Sequence, residues 1–518
     1  MTESQSKVSR FESDPVTPKE VVGYNMGSVP GAFFAGFMGQ INAFYYRWMG
    51  LGWELIILGQ ILFALWNVIN DPLFGLLMNK TKTKSGRYIP WIKWCAPLFT
   101  VGFILVFFPP QTWRGQLPGG EAFQIPLFIF YVATQCVYDT FFTIVYIAHV
   151  ALLPQMTMAT TERTKIAVIY GILSIVGGLG AGLLPVIFLT DPSEASIQAF
   201  QVFVVVFGIA ALLPWYFVVA WVKERQEFIP EQDVPLREAF KYVFRNPSGR
   251  IYIIYDGISV GILNILLSSL TFMFAYLLGL NNEDRAPGFE AWGIMEALPV
   301  IIALVIGGAI GAVVQFQIPK KRDIKTAIMV GLICQAIGFF IAFLGALPAP
   351  GAPDDLYQPS GNVPLLAIGM GIGIFGLMTD LIYHNPMRAD TIDWDEAETG
   401  ERHESIYAGI GCIFSKPMIS VALAIVPAIM GIYGLIPAAF EEDMGATLTP
   451  SMGWPSAITG VAVAALLVPS ILATIGAITW HWYPLDRKAL EELHGKLDGV
   501  HDMKRAERLG EDGRSKFV

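Results

Sequence analysis

Charge is scarce in this chain: of 518 residues only 15% are Asp, Glu, Lys or Arg, against 54% hydrophobic, and the mean hydropathy is +0.53. An ordinary soluble domain, which carries about a quarter charged residues, is thereby excluded. Cysteine is scarcer still. Cys95, Cys136, Cys334 and Cys412 are isolated in or beside apolar runs, too dispersed for a metal site or a disulfide framework, and read as packing residues. No nucleophile–base or metal-ligand spacing appears, so the chain is not expected to be an enzyme. The net charge of -9 is spread over loops and tails and gives no basic surface for nucleic acid. Met1 to Glu20 is polar and lacks the apolar core and small-residue cleavage site of a signal peptide, so the first apolar run is expected to direct insertion.

What is abundant is long apolar runs. Read for stretches of about 20 residues, the chain shows about twelve: Gly23 to Met49, Glu54 to Asn79, Tyr88 to Phe108, Gln124 to Pro154, Thr164 to Leu189, Ala199 to Val222, Arg250 to Leu280, Phe289 to Gln315, Ile324 to Leu347, Val363 to Ala389, Ser405 to Leu435, and Trp454 to Trp482. Runs this long without alternation predict helices, because barrel strands alternate and are shorter. The turns after even-numbered spans hold Lys80, Lys82, Lys84, Arg87, Arg163, Lys165, Lys320, Lys321, Arg322 and Lys325, whereas those after odd-numbered spans hold only Arg47, Arg114 and Arg285 near the spans, with none in Thr190 to Gln198, Gly345 to Asn362 or Ile436 to Gly453. Positive charge collects on the cytoplasmic side, so both termini are expected there.

The chain divides into an N-terminal bundle of six helices over 1–222, a linker over 223–249, a second six-helix bundle over 250–484 and a charged cytoplasmic tail over 485–518. Within the linker, apolar residues at 236, 239, 240, 243 and 244 predict an amphipathic helix on the membrane surface. In the tail Leu490, Leu493 and Leu497 share a helix face, and the segment is expected to be solvated.

Three spans carry polar groups at membrane depth. In the second, Asp71 lies at the inner end of the run Leu55 to Leu77, where a charge costs about 2.5 to 3.5 kcal/mol on insertion scales. Asn67, four residues earlier, shares its face, and Asn70 is adjacent. A carboxylate with amide oxygens offers a seat for Na⁺, or the carboxylate alone can carry H⁺. In the fourth span Gln135, Asp139, Thr143 and Tyr146 recur at helical spacing and His149 continues the stripe, which must face protein or water and is expected to contact solute. In the eleventh, Lys416 lies too far from the interface to snorkel and needs an anion, with Asp71 the first choice and Asp139 the second. Asp256, Asp380 and His384 are expected to brace or gate. The acidic run beyond Asn385-Pro386 is expected to form a cytoplasmic loop whose Asp390, Asp393 and Glu404 pair with basic residues such as Arg87, Arg163 and Arg402.

Several strings resemble a known family. They are Asn70-Asp71-Pro72-Leu73-Phe74-Gly75 with Thr81, Thr83, Gly86-Arg87 and Pro90-Trp91; Ala151-Leu152-Leu153-Pro154 to Glu162-Arg163-Thr164; and Ala389-Asp390-Thr391-Ile392-Asp393-Trp394 with Thr399-Gly400, Arg402, Glu404 and Lys416. In this order they resemble the glycoside-pentoside-hexuronide:cation symporters, the melibiose permease-like branch of the major facilitator superfamily. The resemblance implies an all-α membrane protein with about twelve transmembrane helices in two bundles, alternating access around a midplane site, and coupling roles for Asp71 and Lys416. Three charged sugar contacts of that family fall on Ala32 or its neighbour, Tyr146, and Tyr170 or Gly171, so a melibiose-like substrate is not expected. The lysophospholipid symporters are similar in the same motifs, and Phe33, Phe34, Phe141 and Phe142 would suit an amphipathic solute.

The expectation is therefore a cell-membrane symporter that couples Na⁺ or H⁺ to a sugar, glycoside or similar small organic solute. Its partners would be that solute, the ion and membrane lipid, without nucleic acid, and it would act as a monomer with no cofactor beyond the coupling ion. A carrier of an amphipathic lipid such as a lysophospholipid, or a non-transporting membrane receptor or scaffold, is the alternative.

Overall fold

The computed structural model describes residues 16–79, 81, 83, 85–113, 123–156, 166, 169–170, 173–174, 177, 181, 184–189, 194–224, 241, 243–280, 294–400, 404–437 and 448–497. Ten helices among them are long and apolar enough to cross a membrane. The first expected span is broken into α1 (Pro18–Met26), α2 (Ser28–Met38) and a π-helical turn, Ala43–Trp48, so no piece reaches spanning length. Of the expected fifth span only scattered residues are described, and these are helical.

The remaining helices follow the apolar runs: α3 (Trp53–Asn79), α4 (Ile89–Val106), α5 (Gln124–Met156), α6 (Glu194–Ala210), α7 (Leu212–Trp221), α8 (Pro247–Phe272), α9 (Ile294–Lys321), α10 (Ile324–Ala346), α11 (Val363–Thr399), α12 (Glu404–Ile432), α13 (Trp454–Ala462) and α14 (Val468–Trp480). Start signals are local. Thr17 and Glu20 form a reciprocal capping box ahead of Pro18, and the Asn246 side chain accepts from the amides of Ser248 and Gly249. Small side chains set the closest approach of helices in the second half. A Cβ on Gly338 would stand 2.2 Å from the Gly373 nitrogen, which joins α10 and α11 backbone to backbone. In the first half the filling is aromatic: Phe34 packs edge-on to Phe99 and Phe103 at 4.5 and 4.6 Å between centroids, and Phe37 stacks on Phe200.

Three expectations change. The acidic run after Pro386 is helix, not loop, because α11 continues for 37 residues to a left-handed Gly400 at φ 76°, with Asp395 and Glu396 buried. The expected outer loop after α12 carries a short antiparallel hairpin, β1 (Leu435–Pro437) and β2 (Leu448–Pro450). The tail is not wholly solvated: residues 487–497 form α15, and its Leu493 and Leu497 are buried in a cluster with Ile328, Met387 and Trp480. Of the amphipathic linker segment, 225–240 and 242 lie outside the described residues.

Asp323 links α15 to the bundle. It caps α10 by accepting from the Thr326 amide at 2.6 Å, and the Arg487 backbone donates to it as well. Burial pushes its carboxyl up, but these hydrogen bonds and nearby Lys325 hold it below the ordinary aspartate range. A lowered folded-state value means a stabilisation that is complete above about pH 4 and is lost as pH falls through the lowered value. Asp323→Ala should therefore cost about 1 kcal/mol, read as a lower unfolding midpoint at neutral pH whose deficit shrinks in acid.

Contacts between the two halves gather at the hairpin end of the molecule. Gln40 donates to the Leu267 carbonyl and accepts from Thr271, Asn42 donates to the Leu423 carbonyl, and Tyr46 donates to the Leu435 carbonyl. Arg47 lies 5.1 Å from the Tyr276 ring centre, and a Cβ on Gly431 would meet Trp53. The opposite end, the linker end, carries the start of α4, Glu224 and Asn246.

Candidate functional site

Midway along the helices, the two halves meet at Lys416. Its ammonium donates to Asp71 Oδ1 at 2.6 Å, to Thr143 Oγ1 at 3.0 Å and to Asn67 Oδ1 at 3.4 Å. Thr143 also donates to Asp71 at 3.1 Å. The first-choice partner of Lys416 is thus the observed one, brought there because α3 and α12 lie side by side. On the same level Asn70 Nδ2 donates to Asp139 Oδ2 at 3.1 Å, and the charges acting on Asp139 are those of Lys416 and Asp71. Asp139 is buried, whereas the Asp71 and Lys416 side chains keep 16% and 21% of their surface exposed, enough for water and ions to reach them.

Amide groups surround these charges. Asn67 Nδ2 is held by the Phe63 carbonyl at 3.0 Å, which turns Oδ1 toward Lys416. The buried Asn70 Oδ1 has no hydrogen-bond donor among the described residues. The node therefore offers carboxylate, hydroxyl and amide oxygens, the hard donor set that suits Na⁺.

The α5 stripe divides by role. Asp139 and Thr143 enter the node. Gln135 accepts from Gln60 at 3.2 Å, and Gln60 leads through Tyr131 and Asn42 to α12, a brace across the halves. Tyr146, 39% exposed, stacks on Phe142 and shares a hydrogen bond with Tyr170. His149 departs from the expected solute-facing position: it is fully buried, stacked on Tyr24 at 4.4 Å with Nε2 on the Tyr24 carbonyl at 2.9 Å. Gly27 is required there, since a Cβ would lie 2.6 Å from Nε2.

Of the expected gating network, Arg163 and Arg402 lie outside the described residues, as does the Glu404 side chain. Asp390 and Asp393 lie on the extended α11, close enough to repel each other. Arg87 contributes its backbone: its amide and those of Tyr88 and Ile89 donate to the Glu224 carboxylate at 2.5, 2.7 and 2.7 Å. Glu224 was not singled out from sequence. The signal lay in Gly86, whose φ of 109° and lack of Cβ let the carboxylate fit against the first amides of α4. Glu224→Ala should cost about 1.5 to 3 kcal/mol, seen as a lower thermal midpoint that Glu224→Gln restores in part.

Ten membrane-length helices among the described residues, with a charged node at mid-depth between α3, α5 and α12, define a multi-pass membrane protein. The chain belongs to the family described as MFS/sugar transport protein, whose profile matches residues 23–487. It is 24% identical to the uncharacterized symporter YnaJ of Bacillus subtilis, over 83% of this chain and 84% of that one, and 20% identical to the putative glycoside/cation symporter YagG of Escherichia coli, over 80% and 82%. The human sodium-dependent lysophosphatidylcholine symporter 1 is 31% identical, but only over 99 residues, 19% of this chain and 16% of that one. Among solved structures the E. coli xylose transporter XylE, partially occluded and inward open, matches with a TM-score of 0.56 at 13% identity, over 90% of this chain and 98% of that one, a likeness of fold.

Proposed function

We propose that the protein is a cation-coupled symporter that moves a sugar, glycoside or similar small organic solute by alternating access, with the coupling ion held between Asp71 and Asp139. One observation carries this reading: two carboxylates share one ammonium at membrane depth, so that with both acids ionised the node is one positive charge short. Desolvating an unbalanced charge is costly, and a single Na⁺ or H⁺ removes the imbalance. Asp139, taken from sequence as a solute contact, is thereby reassigned to the ion.

The ion and Lys416 then compete for Asp71. When the ion binds, the 2.6 Å pair loosens, and because that pair joins α3 to α12 the relative positions of the halves respond to occupancy. With the linker end cytoplasmic, as the distribution of Lys and Arg supports, the halves are joined outside and the node is reached from within. The site is complete in one chain, which supports a monomer in the cell membrane with both termini cytoplasmic, and catalysis has no role in this cycle. The amphipathic-lipid alternative rests on a short match, and Phe34, one of its four supports, is buried in the aromatic core.

Proteoliposomes holding the purified protein, given labelled D-xylose, methyl β-D-glucoside or lactose, test the reading. An imposed Na⁺ or H⁺ gradient should raise internal solute above the external level. Uptake that never exceeds equilibration under either gradient contradicts it.

A further inference from the structure

The second half holds a polar cluster that the ion node does not use. On α8, Asp256 Oδ1 faces His384 Nδ1 of α11 at 3.3 Å, with the side chains 7% and 31% exposed. Arg388, one turn further along α11, acts electrostatically on both groups, and the Tyr252 ring lies 6.0 Å from the imidazole. Nearby Asp380 is committed otherwise: it accepts from Tyr255 and from Gln335 at 3.0 Å.

Its position follows from two contacts. A Cβ on Gly411 of α12 would lie 4.0 Å from Asp256 Oδ2, and Gly411 precedes Lys416 by five residues, about 7.5 Å of helix rise. The pair therefore stands roughly one and a half turns toward the linker end from the ion node. On α8 the face through Asp256, Val260, Asn264 and Leu267 ends against α2 and the following turn, since a Cβ on Gly39 would meet Leu267 and Gln40 donates to its carbonyl. That face looks across at the first half, as Lys416 does from α12. Asn264 spends its amide nitrogen on the Val260 carbonyl at 2.8 Å, which leaves its oxygen as the polar group of that face.

We infer that Asp256 and His384, with Asn264 above them, form the C-terminal wall of the solute site and bind neighbouring hydroxyls of a neutral polyhydroxylated solute. A carboxylate accepts from two hydroxyls, and an imidazole engaged at Nδ1 keeps Nε2 for a third contact. The two acids at membrane depth in the first half, Asp71 and Asp139, belong to the ion node, so orienting a sugar falls to the opposite wall. The inference rests on the symporter reading given above.

The test is calorimetric binding of D-xylose, methyl β-D-glucoside and lactose to the full chain in nanodiscs, alongside ²²Na⁺ binding and proton uptake. Asp256→Asn and His384→Gln should bind the best probe about tenfold to a hundredfold more weakly and leave cation binding at the wild-type level. Asp256→Glu should recover part of the loss, which separates lost recognition from lost folding. Wild-type sugar affinity in both variants, or a lowered thermal midpoint without change in affinity, overturns the inference and leaves the symporter standing. A wild type that binds cation but none of the probes overturns the ligand class, and one that binds neither overturns both readings.

Discussion

Asp71→Asn is expected to lose gradient-driven accumulation while still exchanging solute across the membrane. The substitution keeps size and hydrogen bonding but removes the charge that Lys416 meets at 2.6 Å. The cation loses one of the two carboxylates facing it, a charged contact of about 1.5 to 3 kcal/mol, so its affinity should fall by about tenfold to a hundredfold. Lys416 would turn to Asp139, its remaining carboxylate, and the node would be electrically balanced without an ion. A balanced node has no use for one, which is why accumulation stops while exchange continues. The check is the ratio of accumulation to counterflow in proteoliposomes, with monodispersity as the folding control. Wild-type accumulation in this variant would remove Asp71 from coupling.

Lys416→Ala should move binding the other way. With the ammonium gone, Asp71 and Asp139 face each other without compensation, and a cation that no longer has a competitor should bind about tenfold or more tightly. Transport should nevertheless fall sharply, because the ion is released slowly and the tie from α12 to α3 and α5, through Asp71, Asn67 and Thr143, is gone. The two single variants thus share a transport defect and differ in the sign of their cation affinity. In Asp71→Asn the lysine still has Asp139, whereas removing both leaves Asp139 alone, so Asp71→Asn combined with Lys416→Ala should be less stable to heat than Asp71→Asn alone. Cation affinity that drops in Lys416→Ala would show that the lysine helps to hold the ion instead of opposing it.

The ion node was legible because burial leaves few options. A lysine twelve residues inside a span must meet an acid, Asp71 stood in another span with Asn70 beside it, and the spacing of Asn67 and Asp71 put them on one face. The α5 stripe was legible as polar but not in its division of labour, since Gln135, Thr143 and His149 look alike on a helical wheel. Which neighbour each meets depends on how α5 packs against α1, α3 and α12. His149 shows this, because its place is set by a missing side chain on another helix, Gly27.

Errors of extent had local causes. Acidic residues after Pro386 read as loop, yet the first true stop is Gly400, and burial of Asp395 and Glu396 carries the helix through. Three leucines in the tail gave α15 its apolar face, but nothing in the string named the partner surface, which is built from α10, α11 and α14. The hairpin at β1 and β2 is three residues a side and lies between Gly434 and Gly453, both at positive φ, too short for alternation to register. Glu224 and the pair of Asp256 and His384 have partners far away in sequence, so only the packed bundle discloses them.

The central claim is that one cation completes the charge of Asp71, Asp139 and Lys416. Counting bound cation on purified protein, by ²²Na⁺ dialysis together with proton uptake on the same sample, addresses it most directly. One ion per chain in the wild type and none in Asp71→Asn is the expected result. Equal occupancy in the two proteins would place the coupling ion elsewhere and contradict the account.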